Sequence, residues 1–155
     1  MAAKKKAAKQ AAKKKAAPAR RKPVVRKQPE TLRIKSLGVG LTLSDITRSL
    51  DFYTRILGFH PGDKWEKDGQ LMGQEIKAGT TAFWINQDDW SKGRDRVKGV
   101  GMRLYCNTTQ DVAMLAAGIK QRGGTLDHEP VKQSWGTMDF GVTDPDGYKI
   151  TIQSM

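Results

Sequence analysis

Side chains that can do chemistry recur at every second position in two stretches of the C-terminal half of this sequence. Arg103 and Tyr105 alternate with apolar residues, and so do Lys149, Thr151 and Gln153. Alternate residues of a strand point to opposite faces of a sheet, so each stretch predicts a strand with one apolar and one polar face. A guanidinium, an ammonium and hydroxyl groups on one face are hydrogen-bond donors that suit an anion. We expect Arg103, Tyr105, Lys149 and Thr151 to bind a ligand.

Aromatic residues supply candidate walls for the same site. Trp84, chosen over its neighbour Phe83, and Trp135 can stack against an organic ligand, and Thr42 is expected on the same face. Both tryptophans can equally fill the core, because large aromatic side chains usually pack inside a small domain. The ligand role and the packing role stay open at this point.

Three other residues have alternative structural roles. Arg103 can form a structural ion pair with a neighbouring acid such as Asp139 instead of binding a ligand. Trp65 and Trp90 stand among charged residues, so they are candidates for the rim of a groove, for a dimer contact or for simple exposure.

Familiar catalytic patterns are not found. The sequence has no nucleophile elbow and no phosphate loop, and His60 and His128 are too far apart to show metal-ligand spacing. We interpret both histidines as surface residues. The single cysteine, Cys106, ends an apolar stretch and is expected to pack as a small hydrophobic residue; it also excludes an internal disulfide.

The elements that must position these residues come from one pattern stated twice. Residues 38–43 read GVGLTL and residues 99–104 read GVGMRL, and each copy alternates as a half-buried strand does. The first strand is expected over about 34–43. A run with helical spacing and then three short strand-like runs follow each copy. The predicted order is βαβββ, twice.

Each helix has predicted start and stop signals. Ser44 or Asp45 can cap the first helix and Gly58 can end it, while Thr108 or Thr109 can cap the second. Gly123-Gly124 follows the second helix. The residues expected on the buried sides are Ile46, Leu50, Tyr53, Ile56 and Leu57 in the first helix and Val112, Leu115, Ala116 and Ile119 in the second.

Several short motifs in order resemble one family. Residues 45–59, which include SLDFY and LGF, residues 134–137 (SWGT) and residues 144–148 (DPDGY) resemble the glyoxalase/bleomycin resistance/dioxygenase family, also called the vicinal oxygen chelate (VOC) superfamily. The resemblance covers roughly 33–155. It implies an α+β fold in which two βαβββ modules, about 33–88 and 97–155, form a ligand groove, and it implies a homodimer.

The resemblance also implies where catalytic metal would be bound. The expected ligand positions hold Gly38, Gly99 and Thr151, and the last strand of the first module, residues 80–86, offers no carboxylate, histidine or cysteine. Glycine has no side-chain donor and a lone hydroxyl is a poor ligand for a divalent ion. We therefore expect no metal, no cofactor and no catalytic residue. The alternative is a lyase, isomerase or dioxygenase of the family with displaced ligands.

The first 29 residues carry the whole net charge of +12, because they hold twelve basic residues and no acidic one. Residues 1–32 are predicted to be a disordered tail that binds DNA or RNA without sequence preference. A solubilising tail and a transit peptide are the alternatives. The expected phosphate contacts are Lys4, Lys5, Lys6, Lys9, Lys13, Lys14, Lys15, Arg20, Arg21, Lys22, Arg26 and Lys27.

The favoured function is metal-independent binding of a small, anionic organic molecule, as in the drug-sequestering bleomycin-resistance branch of the family. No apolar run is long enough to cross a bilayer and no secretory signal follows the N-terminal charges, so a cytoplasmic protein is expected. Binding of DNA by the tail would associate it with the nucleoid.

Overall fold

The structure is a computed structural model that describes residues 36–155. The predicted tail, its twelve phosphate-binding residues and the first part of the predicted first strand lie outside the described residues. No helix among residues 36–155 is long and apolar enough to span a membrane. The described part is an α+β fold of eight strands and two helical segments, in the predicted order βαβββ, twice.

Module 1 places one four-stranded sheet against one helix. Its strands are β1 (Gly40–Leu43), β2 (His60–Lys67), β3 (Gln70–Ala78) and β4 (Thr81–Gln87). The order across the sheet is β1-β4-β3-β2, with β1 parallel to β4 and the other pairs antiparallel. Helix α1 (Ile46–Asp51) continues as a π-helical turn over Phe52–Ile56.

Module 2 repeats this arrangement. Its strands are β5 (Arg103–Thr108), β6 (His128–Lys132), β7 (Met138–Thr143) and β8 (Lys149–Ser154), and its helix is α2 (Val112–Gln121). The order across the sheet is β5-β8-β7-β6, with β5 parallel to β8. In both modules the strand before the helix therefore pairs with the last strand of the module.

The helix starts are set by aspartates. Asp45 caps α1 because its Oδ1 accepts a hydrogen bond from the Arg48 N–H at 3.0 Å, and Gly58 takes a positive φ after the last turn, as predicted. The predicted cap of α2 at Thr108 or Thr109 is wrong. Thr108 still belongs to β5, and Asp111 accepts from the N–H groups of Ala113 and Met114.

One hydrophobic core joins both modules. The predicted apolar sides of both helices lie in it, with Leu50 and Leu115 only partly buried. Each sheet contributes alternate residues of its central strands, such as Ile85 in β4 and Phe140 in β7. Phe83 is also in the core, so its neighbour Trp84 points to the opposite face, as predicted.

Polar contacts fix the modules to each other. The buried Tyr53 hydroxyl donates to Asp144 Oδ2 at 2.9 Å, and burial raises the pKa of Tyr53 well above its ordinary value, with the Asp144 carboxylate adding to the shift. Tyr148 donates to the Thr42 carbonyl at 3.1 Å, and Asp146 accepts from the Ser44 N–H at 3.0 Å. The Asp-Pro-Asp-Gly turn at residues 144–147 and the following Tyr148 therefore join the modules.

The second copy of the repeated motif is only partly a strand. Residues 99–101 form a bend and turn, and β5 begins at Arg103. Gly99 has φ +71°, and a Cβ there would lie 2.2 Å from the carbonyl carbon of Gly147. Only glycine permits this approach of two backbones. The first strand is also shorter than predicted, since β1 begins at Gly40.

Candidate functional site

The candidate ligand residues lie on what we call the open face of each sheet, the surface opposite its helix. In module 2, register pairs Arg103 with Lys149, Tyr105 with Thr151 and Asn107 with Gln153 across β5 and β8. Paired residues of neighbouring strands share a face and have side chains in contact range. The structure therefore brings together four of the five predicted ligand residues of this module, Arg103, Tyr105, Lys149 and Thr151, while Trp135 lies between β6 and β7.

Arg103 is held by Thr151. Its Nη1 donates to Thr151 Oγ1 at 2.8 Å, although Thr151 itself is only 6% exposed. The alternative partner, Asp139, instead accepts from Gln133 Nε2 at 2.9 Å. Arg103 itself is exposed. The Thr151 hydroxyl thus orients the guanidinium without neutralising its positive charge.

The part of the same open face that lies on β6 and β7 carries acidic and imidazole groups. Thr143 donates to Asp127, and Lys149 Nζ lies 3.7 Å from Asp127 Oδ2. His128 lies across the sheet from Gly141, with its Nε2 3.9 Å from Asp139 Oδ1. The residues 127, 128 and 139 were not predicted as site residues. The register of β6 and β7, which brings them to this face, is not visible in single strands.

The open face of module 1 is aromatic and amide-lined. Register places Trp84 between Gly40 and Glu75, and Asn86 between Thr42 and Gly73. A Cβ at Gly40 would lie 3.3 Å from the Asn86 amide nitrogen, so this amide lies over the glycine. Asn86 was not predicted, although its alternation with Ile85 in the strand indicated the same face as Trp84 and Thr42.

The three aromatic residues predicted to bind a ligand are open to solvent. Trp84 is 37% exposed, Tyr105 65% and Trp135 69%. Neither tryptophan therefore fills the core, so the packing interpretation is wrong, and the ligand role stays a prediction. The site in a single chain is an open surface, where aromatic rings remain available to a ligand or to a partner.

Trp65 and Trp90 differ in their surroundings. Trp65 is also exposed and lies against Gly73 on the open face of module 1. Trp90 belongs to the linker between the modules, residues 88–102. Lys98 Nζ lies 4.7 Å and Arg94 Cζ 5.0 Å from the centre of its ring. Trp65 is thus available at the site, and Trp90 packs under two cations.

The linker is anchored by a buried ion pair. Asp88 Oδ2 lies 3.0 Å from Lys98 Nζ and 2.6 Å from Arg96 Nη2, and both Asp88 and Lys98 are buried. Removal from water raises the pKa of Asp88, but hydrogen bonds from Lys98, the Trp90 N–H and Arg96 outweigh it and lower the pKa to about 2. Lys98 also donates to Ser44 Oγ at 3.0 Å, which ties the linker to the end of β1.

Comparison with known proteins agrees with this architecture. The family model of the glyoxalase/bleomycin resistance protein/dioxygenase superfamily matches residues 34–152, most of the chain. The chain belongs to this superfamily. Superfamily members bind small organic ligands and often form dimers.

Two relatives are lyases by name. The chain is 30% identical over 122 residues to the lactoylglutathione lyase of Escherichia coli O157:H7, which covers 72% of this chain and 86% of that protein. It is 27% identical over 126 residues to the lactoylglutathione lyase GLX1 of Arabidopsis thaliana, covering 75% of this chain. The chain spans only 42% of the length of the Arabidopsis protein.

A solved superfamily structure from Sphaerobacter thermophilus shows the same fold. Its TM-score is 0.59 at 22% identity, and the match covers 77% of this chain and 98% of that one. At this identity the likeness supports the fold alone.

The superfamily's catalytic members use a divalent metal ion, and the residues present here do not fit one. Residues 36–155 contain no group of three His, Cys, Asp or Glu side chains placed to hold an ion. Thr151 accepts from a guanidinium, and Gly99 lies outside β5 with its backbone against Gly147. A cationic side chain beside a metal position would repel the ion. Cys106 does not change this conclusion, because burial raises the pKa of its thiol and so disfavours the thiolate that binds metals.

Proposed function

We propose that this protein binds an anionic organic molecule on its open faces without a divalent metal ion. The observation that carries the proposal is the Arg103–Thr151 contact of 2.8 Å, which orients a permanent cation beside a position where the superfamily uses a metal ligand. Arg103 has further N–H donors, and Lys149 is its neighbour across the strands. Two cations that face solvent together suit a carboxylate or a phosphate.

The rest of the open faces supports an organic ligand. Trp84 and Tyr105 offer exposed ring faces, and the Asn86 amide offers both a donor and an acceptor. We assign no catalytic role to any of these residues. The proposed ligand has an organic body that contacts exposed aromatic rings and an anionic group that binds Arg103.

The experiment is a calorimetric titration of the full chain after dialysis against a chelator. The first probe is S-lactoylglutathione, because the relatives are lactoylglutathione lyases by name and the molecule is anionic. Binding in the presence of chelator that is weakened by Arg103→Gln supports the proposal. Arg48→Gln, the same chemical change on the exposed side of α1, is the matched control. Unweakened binding by the Arg103 variant would contradict the assignment.

An enzyme of the superfamily is the second candidate, favoured by the names of the relatives and by the imidazole and carboxylates near Thr143. Under this hypothesis, displaced ligands such as Glu75 or His128 hold a metal ion. Turnover of S-lactoylglutathione that needs added metal and is lost on His128→Asn would establish the enzyme. Binding without turnover favours the first proposal.

We further propose that residues 1–29 bind nucleic acid without sequence preference. The support is compositional: twelve basic residues and no acidic residue. No aromatic residue is present there for base stacking, so the binding would depend on phosphate contacts. The exposed edge strands and aromatic residues also support a homodimer as the working state. Sedimentation at several protein concentrations, with and without DNA, tests both proposals.

A further inference from the structure

A cavity of about 610 Å³ lies where the linker meets the beginnings of β5 and β8. Residues 97–103 line it together with Gly147 and Lys149, and none of them is acidic. The cavity is open to solvent on one side, so a ligand there would be only partly enclosed. Arg103 and Lys149, which lie side by side at its edge, connect the cavity to the open face of module 2.

The wall of this cavity is a glycine loop with an unusual backbone. Gly99 and Gly101 have φ of +71° and +74°, and Gly147 on the facing turn has φ of +89°. Gly99 touches the Gly147 backbone, whereas a Cβ at Gly101 would have no heavy atom within 4 Å. Gly101 therefore faces open space. Left-handed residues at alternate positions turn successive N–H groups toward one side of a chain, which makes a concavity for anions.

The N–H groups of this loop are available as donors. Within residues 36–155, the N–H groups of Val100, Gly101 and Met102 make no loop or turn hydrogen bond to a backbone carbonyl. Lys98 does not supply its charge to the cavity, because its Nζ binds Asp88 and Ser44. Its role is to anchor the loop at one end, while β5 holds the other end.

We propose that this cavity binds the phosphate group of a small organic phosphate ester. The N–H groups of residues 100–102 would donate from one side and the Arg103 side chain from the other, and Lys149 Nζ would exchange its 3.7 Å contact with Asp127 Oδ2 for the phosphate. A phosphate dianion fits better than a carboxylate, because it has three acceptor oxygens for donors that converge from several directions. The inference rests on the proposed function through Arg103 and narrows its ligand to a phosphorylated molecule whose body extends toward Thr151.

The test uses ¹⁵N-labelled full-length protein and inorganic phosphate as the probe. Phosphate is titrated against chloride at equal ionic strength while backbone amide resonances are followed. We expect saturable shifts of the amides of residues 99–102 with phosphate only. Shifts that do not saturate, or that leave these amides unchanged, would overturn the proposal.

A matched pair of variants sharpens the experiment. Gly101→Asp and Gly101→Asn have nearly the same shape, and Asp and Asn tolerate a positive φ better than other residues with a Cβ. The Asn variant should retain phosphate binding, whereas the Asp variant should bind at least about tenfold more weakly because a like charge enters the cavity. Equal affinity in the two variants would place the phosphate elsewhere. If both loop variants fail to fold, Lys149→Met replaces them, because it leaves the loop sequence unchanged. This variant should weaken the phosphate affinity measured from the amide shifts of residues 99–102.

Failure of this inference can be told from failure of the proposed function. If S-lactoylglutathione binds through Arg103 but phosphate leaves residues 99–102 unchanged, the phosphate site is wrong and the proposed function stands. The opposite result is also possible. If phosphate shifts the loop amides saturably but Trp84→Ala leaves the affinity for S-lactoylglutathione unchanged, the phosphate site stands and the wider binding surface is wrong.

Discussion

Arg103 in β5 donates a hydrogen bond to Thr151 in β8, with 2.8 Å between Nη1 and Oγ1, and the two strands run parallel. The threonine is almost fully buried and the arginine is exposed, so the contact points a charged group outward from a fixed base. A cation held in this way loses less conformational freedom when it binds an anion. This pair is therefore the centre of the predicted ligand site.

Arg103→Ala should weaken binding of the anionic ligand by about 1.5–3 kcal/mol, since a hydrogen bond to a charged group is lost. The fold should change little, because Arg103 is exposed and Thr151 retains its place in β8. Titration calorimetry measures the affinity and thermal unfolding measures the stability. A variant that unfolds, while its remaining folded fraction binds normally, would show that Arg103 is structural.

Metal analysis of the dialysed protein should find well under one equivalent of divalent ion per chain. The physical reason is the donor set, in which Gly38 and Gly99 have no side-chain donor and Thr151 already accepts from Arg103. A stoichiometric ion that survives dialysis and disappears when Glu75 or His128 is changed would instead establish displaced ligands.

The Asp88 carboxylate should make the free energy of unfolding depend on pH in the acid range. Its pKa is lowered to about 2 in the folded protein from an ordinary value of 3.8. The stabilisation is therefore fully present above pH about 4 and is lost as the pH falls toward 2. Thermal unfolding across this range should show a smaller pH dependence for Asp88→Asn than for the parent.

The control for this measurement is Asp95→Asn, which removes a carboxylate from an exposed position of the same linker. It should leave the thermal midpoint and its pH dependence nearly unchanged. An identical response of the two variants would mean that the Asp88–Lys98 pair does not stabilise the linker.

Residues 1–29 should confer salt-dependent binding to duplex DNA. If about eight of their charges contact phosphates, log K should fall with log[salt] with a slope near about −7, a loss of more than about a thousandfold between ~50 and ~200 mM salt. Electrophoretic shifts and fluorescence anisotropy measure this. Comparable binding by a chain that lacks residues 1–29, or binding independent of salt, would contradict the prediction.

Much of the fold followed from short-range pattern. Alternation in residues 39–43 and 149–153, and helical spacing around Tyr53 and Ile119, predicted both modules and most of their buried residues. These signals are local, because a strand or a helix buries one side at a fixed period. The same alternation predicted the open face for Trp84, and Phe83 lies in the core.

Other features depended on contacts between distant residues. The repeated motif at residues 99–104 looked like a second complete strand, but Gly99 is held against Gly147 and the strand begins only at Arg103. Thr108 was an acceptable helix cap by type, but it pairs with Ser154 in the sheet and leaves the cap to Asp111. In each case a contact with a residue distant in the sequence overrode the local structural preference.

The sequence by itself determined the superfamily, the two modules and the faces on which candidate ligand residues lie, because each depends on periodicity and on short motifs. Only the tertiary structure decided that Arg103 binds Thr151 and not Asp139, that Trp84 and Trp135 are exposed, and that a glycine loop lines an open cavity beside Lys149. These facts depend on strand register and on close backbone approach, which are set by the packing of segments far apart in the chain.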